Sequence, residues 1–113
     1  MPKPQSRTYS RYTQEAIQLL AGLIRVGRLD RKMTVQEVAD RAGISRGLLQ
    51  RIEKGDLKCE IGAAFEVAVI VGVPLFGLED EAKLRFQREQ TQARLTLMPR
   101  SVRKTNRQVK DDF

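Results

Sequence analysis

A chain of 113 residues with 41% apolar side chains and no histidine has room for one small domain, and it lacks the usual general base of neutral-pH catalysis. Its single cysteine, Cys59, cannot form an intrachain disulfide or a CxxC zinc site. The sequence shows no nucleophile–base pair and no cluster of ligand residues, so no metal, other cofactor or enzymatic activity is expected. The net charge of +7 comes from basic residues at both ends of a nearly neutral centre. That layout favours a polyanionic partner, the alternative being two solvated tails.

Helical periodicity predicts capped helices in the first half of the chain. The first helix is predicted from Gln14 to Asp30, with Thr13 as its N-cap. The second opens at Thr34, and Glu37 follows at capping-box spacing. Gly43 is expected to end the second helix by taking a positive φ, which predicts a sharp turn.

The third helix is predicted to begin after Ser45 and to end at Gly55, and it is amphipathic. One side carries Leu48, Leu49 and Ile52, which we expect to face the core. The opposite side is polar and comprises Arg46, Gly47, Gln50, Arg51 and Lys54.

The rest of the chain is first apolar and then polar. The fourth helix, Ile61 to Val71, is apolar almost all round, which indicates either a contact with a partner subunit or a central place in the core. A turn at 72–74 leads into a predicted short fifth helix, Leu75 to Leu78. A polar helix is predicted to follow from Glu81 to Leu97.

Residues 33–55 place two short helices around the turn Ala42-Gly43-Ile44-Ser45. This stretch resembles the Cro/C1-type (XRE) helix-turn-helix family, and the resemblance extends over about residues 17–78. It implies an all-α fold in which a five-helix, lambda repressor-like DNA-binding domain (13–80) lies between a basic N-terminal arm (1–12) and a C-terminal helix (81–98) with a flexible basic tail (99–113). The matching residues are Met33, Thr34, Val38, Ala39, Ala42, Gly43, Ile44, Ser45, Leu49, Ile52, Glu53 and Gly55.

Two residues depart from the family pattern. Val35 stands where the family usually has a glutamine that bonds a phosphate, and Gln36 next to it lies about 100° further round the helix. We therefore expect that contact to be missing and Val35 to join the core. Gly47 offers no side chain where the family often contacts a base, which a close approach of its backbone to DNA would explain.

The polar side of the third helix has the chemistry for reading base edges. Arg46 and Arg51 can each donate two hydrogen bonds to guanine, and Gln50 can pair in the same way with adenine. With Gly47, these are the predicted base contacts. Which arginine contacts a base and which a phosphate stays open, and an ordinary solvated helix face is the alternative. Phosphate contacts are expected from Thr34, Arg41, Ser45 and Lys54.

The resemblance also implies structural roles. Arg28 and Glu53 occupy positions where the family often forms an ion pair between the first and third helices, although Arg28 could instead contact a phosphate. Cys59 lies before the fourth helix, where the family often has proline, and we expect it to be structural.

Proteins of this kind usually dimerise to read two half-sites, so we expect a homodimer on a palindromic operator in double-stranded DNA. The alternative for the candidate interface is that its side chains close the core. The interface comprises Val67, Ile70, Val73, Leu75, Phe76 and Leu78.

The C-terminal part resembles HipB-like antitoxins of type II toxin–antitoxin modules, which are encoded beside HipA-like serine/threonine kinase toxins. The shared features are the long fourth helix, the charged helix after it, and a tail with Pro99, Val102 and a final Asp-Asp-Phe. The resemblance implies an antitoxin that represses its own operon and binds the kinase. Residues expected to contact toxin or DNA are Arg100, Arg103, Lys104 and Phe113.

Two other functions stay open at this point. One is a stand-alone or phage-type regulator without a toxin partner, and the other is an interaction scaffold that has lost DNA binding. In each case we expect a bacterial, cytoplasmic protein, associated with the nucleoid when it binds DNA. No membrane contact is expected, because the longest apolar stretch, 63–78, is short and broken by polar residues, glycine and proline.

Overall fold

The computed structural model describes residues 8–104. Within them the chain forms five α-helices and no strand, which confirms the all-α prediction. No helix in this part of the chain is long and apolar enough to cross a membrane. The helices are α1 (Arg11–Asp30), α2 (Val35–Ala42), α3 (Arg46–Glu53), α4 (Ile61–Ile70) and α5 (Glu81–Thr96).

Helix α1 begins earlier than the sequence predicted. Its first residue is Arg11 and its N-cap is Ser10, whose Oγ accepts a hydrogen bond from the backbone N–H of Thr13 at 3.1 Å. Thr13 was the wrong cap, because the backbone N–H of Gln14 already donates to the Ser10 carbonyl at 3.1 Å and so belongs to the first helical turn.

Helices α1 to α4 pack around a single aliphatic core. Each supplies one of the largest fully buried side chains, namely Ile24, Val38, Leu49 and Val67. The assignment of Val67 to a dimer interface is therefore wrong, because its side chain lies wholly inside the core of its own chain.

The predicted short fifth helix does not form. Leu75 to Leu78 is a tight turn in which Phe76 and Gly77 have φ values of 55° and 70°. Positive φ at both central residues is the geometry of a reversing turn and is incompatible with a right-handed helix. Four residues also supply too few hydrogen bonds to offset the cost of starting a helix. The ring of Phe76 meets that of Phe65 edge to face, with centroids 6.0 Å apart.

The chain divides between Gly77 and Leu78 into two units, and α5 belongs to the second. Asp80 caps α5, since its Oδ1 accepts a hydrogen bond from the backbone N–H of Lys83 at 2.8 Å. An ion pair between Arg85 and Glu81, one turn apart, adds local support at 3.4 Å. No side chain of α5 is buried, so capping and surface pairs are the main local stabilisation of this helix.

Candidate nucleic-acid interface

Local hydrogen bonds set the angle between α2 and α3. Thr34 and Glu37 form the predicted capping box, with Glu37 Oε1 accepting from the Thr34 backbone N–H at 2.8 Å and Thr34 Oγ1 accepting from the Glu37 backbone N–H at 3.0 Å. Gly43 ends α2 with a φ of 68°. Ser45 then caps α3, accepting from the backbone N–H of Leu48 at 3.0 Å. The turn is therefore rigid, and α3 projects from it at a fixed angle.

Helix α3 divides into a buried and an exposed side, as the sequence predicted. Leu49 and Ile52 are buried and Leu48 is half-buried against the core. The five polar-side residues, Arg46, Gly47, Gln50, Arg51 and Lys54, are all exposed. The side that carries the predicted base contacts is thus accessible to a large ligand.

Arg51 is held by an acidic residue that the sequence analysis missed. Its Nε donates to Asp56 Oδ2 at 2.9 Å, and Asp56 Oδ1 in turn accepts from the backbone N–H of Lys58 at 2.8 Å. The hydrogen bond raises the pKa of Arg51, and the same bond holds the pKa of Asp56 below its usual range. Gly55 reverses the chain with a φ of 79°, which brings Asp56 back towards α3.

Gly47 lies on an open part of the surface. Apart from the adjacent residues and the backbone of its own helix, the atom nearest to a methyl group added at its Cα would be Ser45 Oγ, at 4.0 Å. The fold itself therefore does not require glycine there. Gly47 and Arg51 line an open groove whose other wall includes Lys58, Cys59 and Glu60. Lys58 is exposed and adds a cation that the sequence analysis did not single out.

A buried ion pair ties α3 to α1. Arg28 Nε and Nη2 donate to the two carboxylate oxygens of Glu53 at 2.6 and 3.0 Å, and Arg28 Nη1 donates to the Met33 carbonyl at 3.1 Å. The hydrogen bond with Glu53 raises the pKa of Arg28. Because the Arg28 side chain is only 10% exposed, the alternative that it contacts a phosphate is wrong.

A second link between α1 and α3 was missed by the sequence analysis. Gln18 Nε2 donates to the backbone carbonyl of Lys54 at 3.4 Å, at the C-cap of α3. A side chain at Gly55 would collide with the amide of Gln18. Nothing in the periodicity of α1 distinguishes Gln18 from other exposed polar residues, so this contact depends on the packing of the two helices.

Comparison with protein families identifies the domain that contains α2 and α3. Residues 24–78 match a family model described as helix-turn-helix. This segment is a helix-turn-helix domain of the Cro/C1 (XRE) type. The match runs from the second half of α1 to the turn after α4 and includes every residue of α3.

A helix-turn-helix domain of this type supports a role in DNA binding and transcription regulation. No curated protein matched the chain in a separate comparison. The narrower resemblance to HipB-like antitoxins therefore stays a prediction.

The predicted phosphate contacts of the helix-turn-helix domain, Thr34, Arg41, Ser45 and Lys54, are all exposed. Val35 is half-buried and packs against the core, which agrees with its predicted place there. Gln36 remains on the surface, where its amide donates to Asp40 Oδ1 at 2.8 Å. The hydroxyls of Thr34 and Ser45 accept cap bonds through oxygen, so each keeps a proton that it can donate to a phosphate.

The other predicted site residues differ in how far they are exposed. Of the candidate interface residues other than Val67, Phe76 is exposed, whereas Ile70, Val73 and Leu75 are partly buried against the core and Leu78 is half-buried. Cys59 is also half-buried against the core, and burial raises the pKa of its thiol, which suits a structural residue. In the tail, Arg100, Arg103 and Lys104 are exposed, and Phe113 lies outside the described residues.

Proposed function

We propose that this protein is a sequence-specific repressor that places α3 in the major groove of an operator. The observation that supports this best is the exposed polar side of α3, a helix that the buried ion pair of Arg28 and Glu53 ties to α1. In this role Arg46 and Arg51 donate to guanines, and Gln50 pairs with adenine. A palindromic operator would be bound by two copies of the chain at the bacterial nucleoid.

The upstream region of the protein's own gene is the DNA to test. Fluorescence anisotropy with this DNA and with a shuffled competitor should show specific binding that Arg46→Ala/Arg51→Ala removes. Arg88→Ala/Arg94→Ala is the matched control, because it removes the same charge from exposed positions of α5. Specific binding that survives the α3 substitutions unchanged would overturn the site assignment. Absence of any specific binding would favour the scaffold function.

We further propose that the protein is the antitoxin of a HipA-like kinase. The support is the resemblance of the C-terminal part to HipB-like antitoxins, together with the exposed cations Arg100, Arg103 and Lys104 in the tail. A cationic tail of this kind can contact either acidic protein surfaces or DNA phosphates.

A kinase-type gene directly beside this one would support the antitoxin role. Co-expression of the two products should give a stable complex on size exclusion, weakened when Arg100, Arg103 and Lys104 are all replaced by alanine. DNA specificity should stay unchanged in that variant, since α3 is intact. If no such gene adjoins this one, or the two products do not associate, the stand-alone regulator is the better description.

A further inference from the structure

Helix α1 exposes an apolar stripe, and two of its residues, Leu23 and Val26, also border a groove that Val71 and Val73 line. Leu19, Leu23 and Val26 are spaced by four and three residues, so they fall on one side of the helix. They are 63%, 43% and 55% exposed. Tyr12, 87% exposed, extends the stripe towards the N-terminal end of the helix.

The stripe lies opposite the side of α1 that holds the domain together. Ala21, Ile24 and Arg28, the buried residues of α1, are offset from Leu19 and Val26 by about half a turn. A molecule that covered the stripe would thus leave the contacts between α1 and α3 undisturbed. A row of exposed large apolar side chains on one helix is typical of an interaction surface, whereas scattered ones are not.

The first and last residues of α1 carry charges that oppose the helix dipole, whereas Arg28 in the last turn has the favourable sign. Arg11 is the first residue of the helix and Asp30 is the last, although acidic groups suit the N-terminus and basic groups the C-terminus. Within residues 8–104 neither side chain forms an ion pair. An antiparallel α1 from another copy would bring each of these charges next to its opposite.

A gap in the stripe fits the same arrangement. Gly22 lies beside Leu19 on the exposed surface, and a methyl group added there would meet nothing within 4 Å. Leu19 and Gly22 are equally distant from the middle of α1, as are Arg11 and Asp30. One antiparallel register, with a two-fold axis at the middle of the helix, therefore sets Leu19 against the partner's gap and Arg11 against the partner's Asp30.

We propose that a second copy of this chain docks on the α1 stripe, with the two α1 helices antiparallel. The face is self-complementary in shape and charge, as a two-fold interface must be. In this proposal the α1 stripe forms the centre of the dimer. It takes the place of the interface predicted from the sequence, which comprised Val67, Ile70, Val73, Leu75, Phe76 and Leu78. Self-association here requires no DNA, so it is tested separately from the repressor function.

The test measures the self-association of the full-length chain by analytical ultracentrifugation without DNA. Leu19→Glu/Leu23→Glu should weaken the dimer by more than about tenfold, because two charges would be buried against an apolar face. Ile61→Glu is the matched control, since Ile61 is a 70% exposed apolar residue on α4. It should leave the dimer unchanged, and thermal melts monitored by circular dichroism should show that each variant is folded.

Charge reversal tests the register. Arg11→Glu alone and Asp30→Arg alone should each weaken the dimer, although each improves the match with the helix dipole and should not destabilise the monomer. The double variant should restore the association by exchanging the two charges.

Three results would overturn the proposal. The first is a wild-type chain that stays monomeric at all concentrations. The second is a dimer that survives Leu19→Glu/Leu23→Glu but is lost in Phe76→Glu, which would favour the exposed Phe76 instead. The third is a failure of the double charge reversal to restore association.

Discussion

Arg51 and Asp56 form an ion pair that uses only one edge of the arginine. The Nε of Arg51 donates to Asp56 Oδ2 at 2.9 Å, and within residues 8–104 its Nη groups donate to no protein acceptor. The pair lies at the C-terminal end of α3, beside the groove that Gly47 also lines. Asp56 thus restricts the rotamers of Arg51 while leaving the four N–H donors of its two Nη groups free for a ligand.

If Asp56 positions Arg51 for a guanine, its removal should reduce specificity more than affinity. In Asp56→Ala we expect discrimination between guanine and adenine at one operator position to fall by about tenfold. Non-specific affinity should rise, because a negative charge is lost. Binding to a panel of single-base operator variants measures both effects, with Glu66→Gln on α4 as the charge control. Tighter binding with unchanged specificity would mean that Asp56 only competes with DNA for Arg51.

Gly47 and Gly62 make a matched pair of helical glycines. Each is the second residue of its helix. A methyl group added to either glycine would lie no closer than 4.0 Å to any atom beyond its adjacent residues and its own helix backbone. Replacement by alanine should raise the free energy of unfolding by about 0.5–1 kcal/mol in both variants, measured by urea denaturation. Only Gly47→Ala should weaken operator binding. Equal affinity in both variants would show that DNA does not approach Gly47 closely.

The ion pair of Arg28 and Glu53 should dominate the stability of the α1–α3 contact. Glu53→Met leaves the buried guanidinium without its carboxylate and should lower the free energy of unfolding by about 3–5 kcal/mol. Arg28→Met/Glu53→Met should recover much of that loss, since two apolar side chains can replace a buried pair. Arg51→Met, at an exposed pair, should change stability little. Chemical denaturation of the wild type and the three variants checks this order, and a double variant no more stable than Glu53→Met would contradict it.

The capping box of helix α2 should make the free energy of unfolding fall at acid pH. The backbone hydrogen bond from Thr34 lowers the pKa of Glu37 in the folded state. Ionised Glu37 therefore contributes stability above its unfolded pKa, and this contribution is lost as the pH falls through the folded value. Unfolding free energies measured across the acid range should show a shallower loss in Glu37→Ala than in wild type. The control Glu66→Gln, which lies outside every cap, should follow the wild-type curve.

Lys54 offers a test of the phosphate contacts. Replacing one phosphate-contacting lysine by glutamine should reduce the slope of log affinity against log salt by about 0.9, uniformly across operator sequences. Lys83→Gln on α5 is the control for loss of charge. An unchanged slope in Lys54→Gln would remove Lys54 from the interface.

The capped turn between α2 and α3 was predictable from the sequence. The capping box of Thr34 and Glu37, the positive φ of Gly43 and the cap at Ser45 all depend on hydrogen bonds or backbone geometry within a few residues. Amphipathic periodicity likewise predicted which side of α3 is buried. These signals are local, so they need no knowledge of the rest of the fold.

The sequence was not sufficient to predict the features that depend on tertiary packing. Helix α4 is apolar almost all round, so its pattern could not show that Val67 is buried while Val69 is 57% exposed. The turn at Phe76 and Gly77 was mistaken for a helix, since Pro74 before it is also a typical helix start.

Contacts that depend on how the chain turns back or how helices pack were equally hidden. Asp56 reaches Arg51 only because the chain reverses at Gly55, and Gln18 meets the end of α3 only because α1 packs beside it. The sequence alone therefore determined the DNA-binding unit and the side of α3 that it exposes, because capping and periodicity act over short distances. The tertiary structure alone decided which side chains hold that unit in place and which apolar face is left open on α1, because both depend on how separate helices pack.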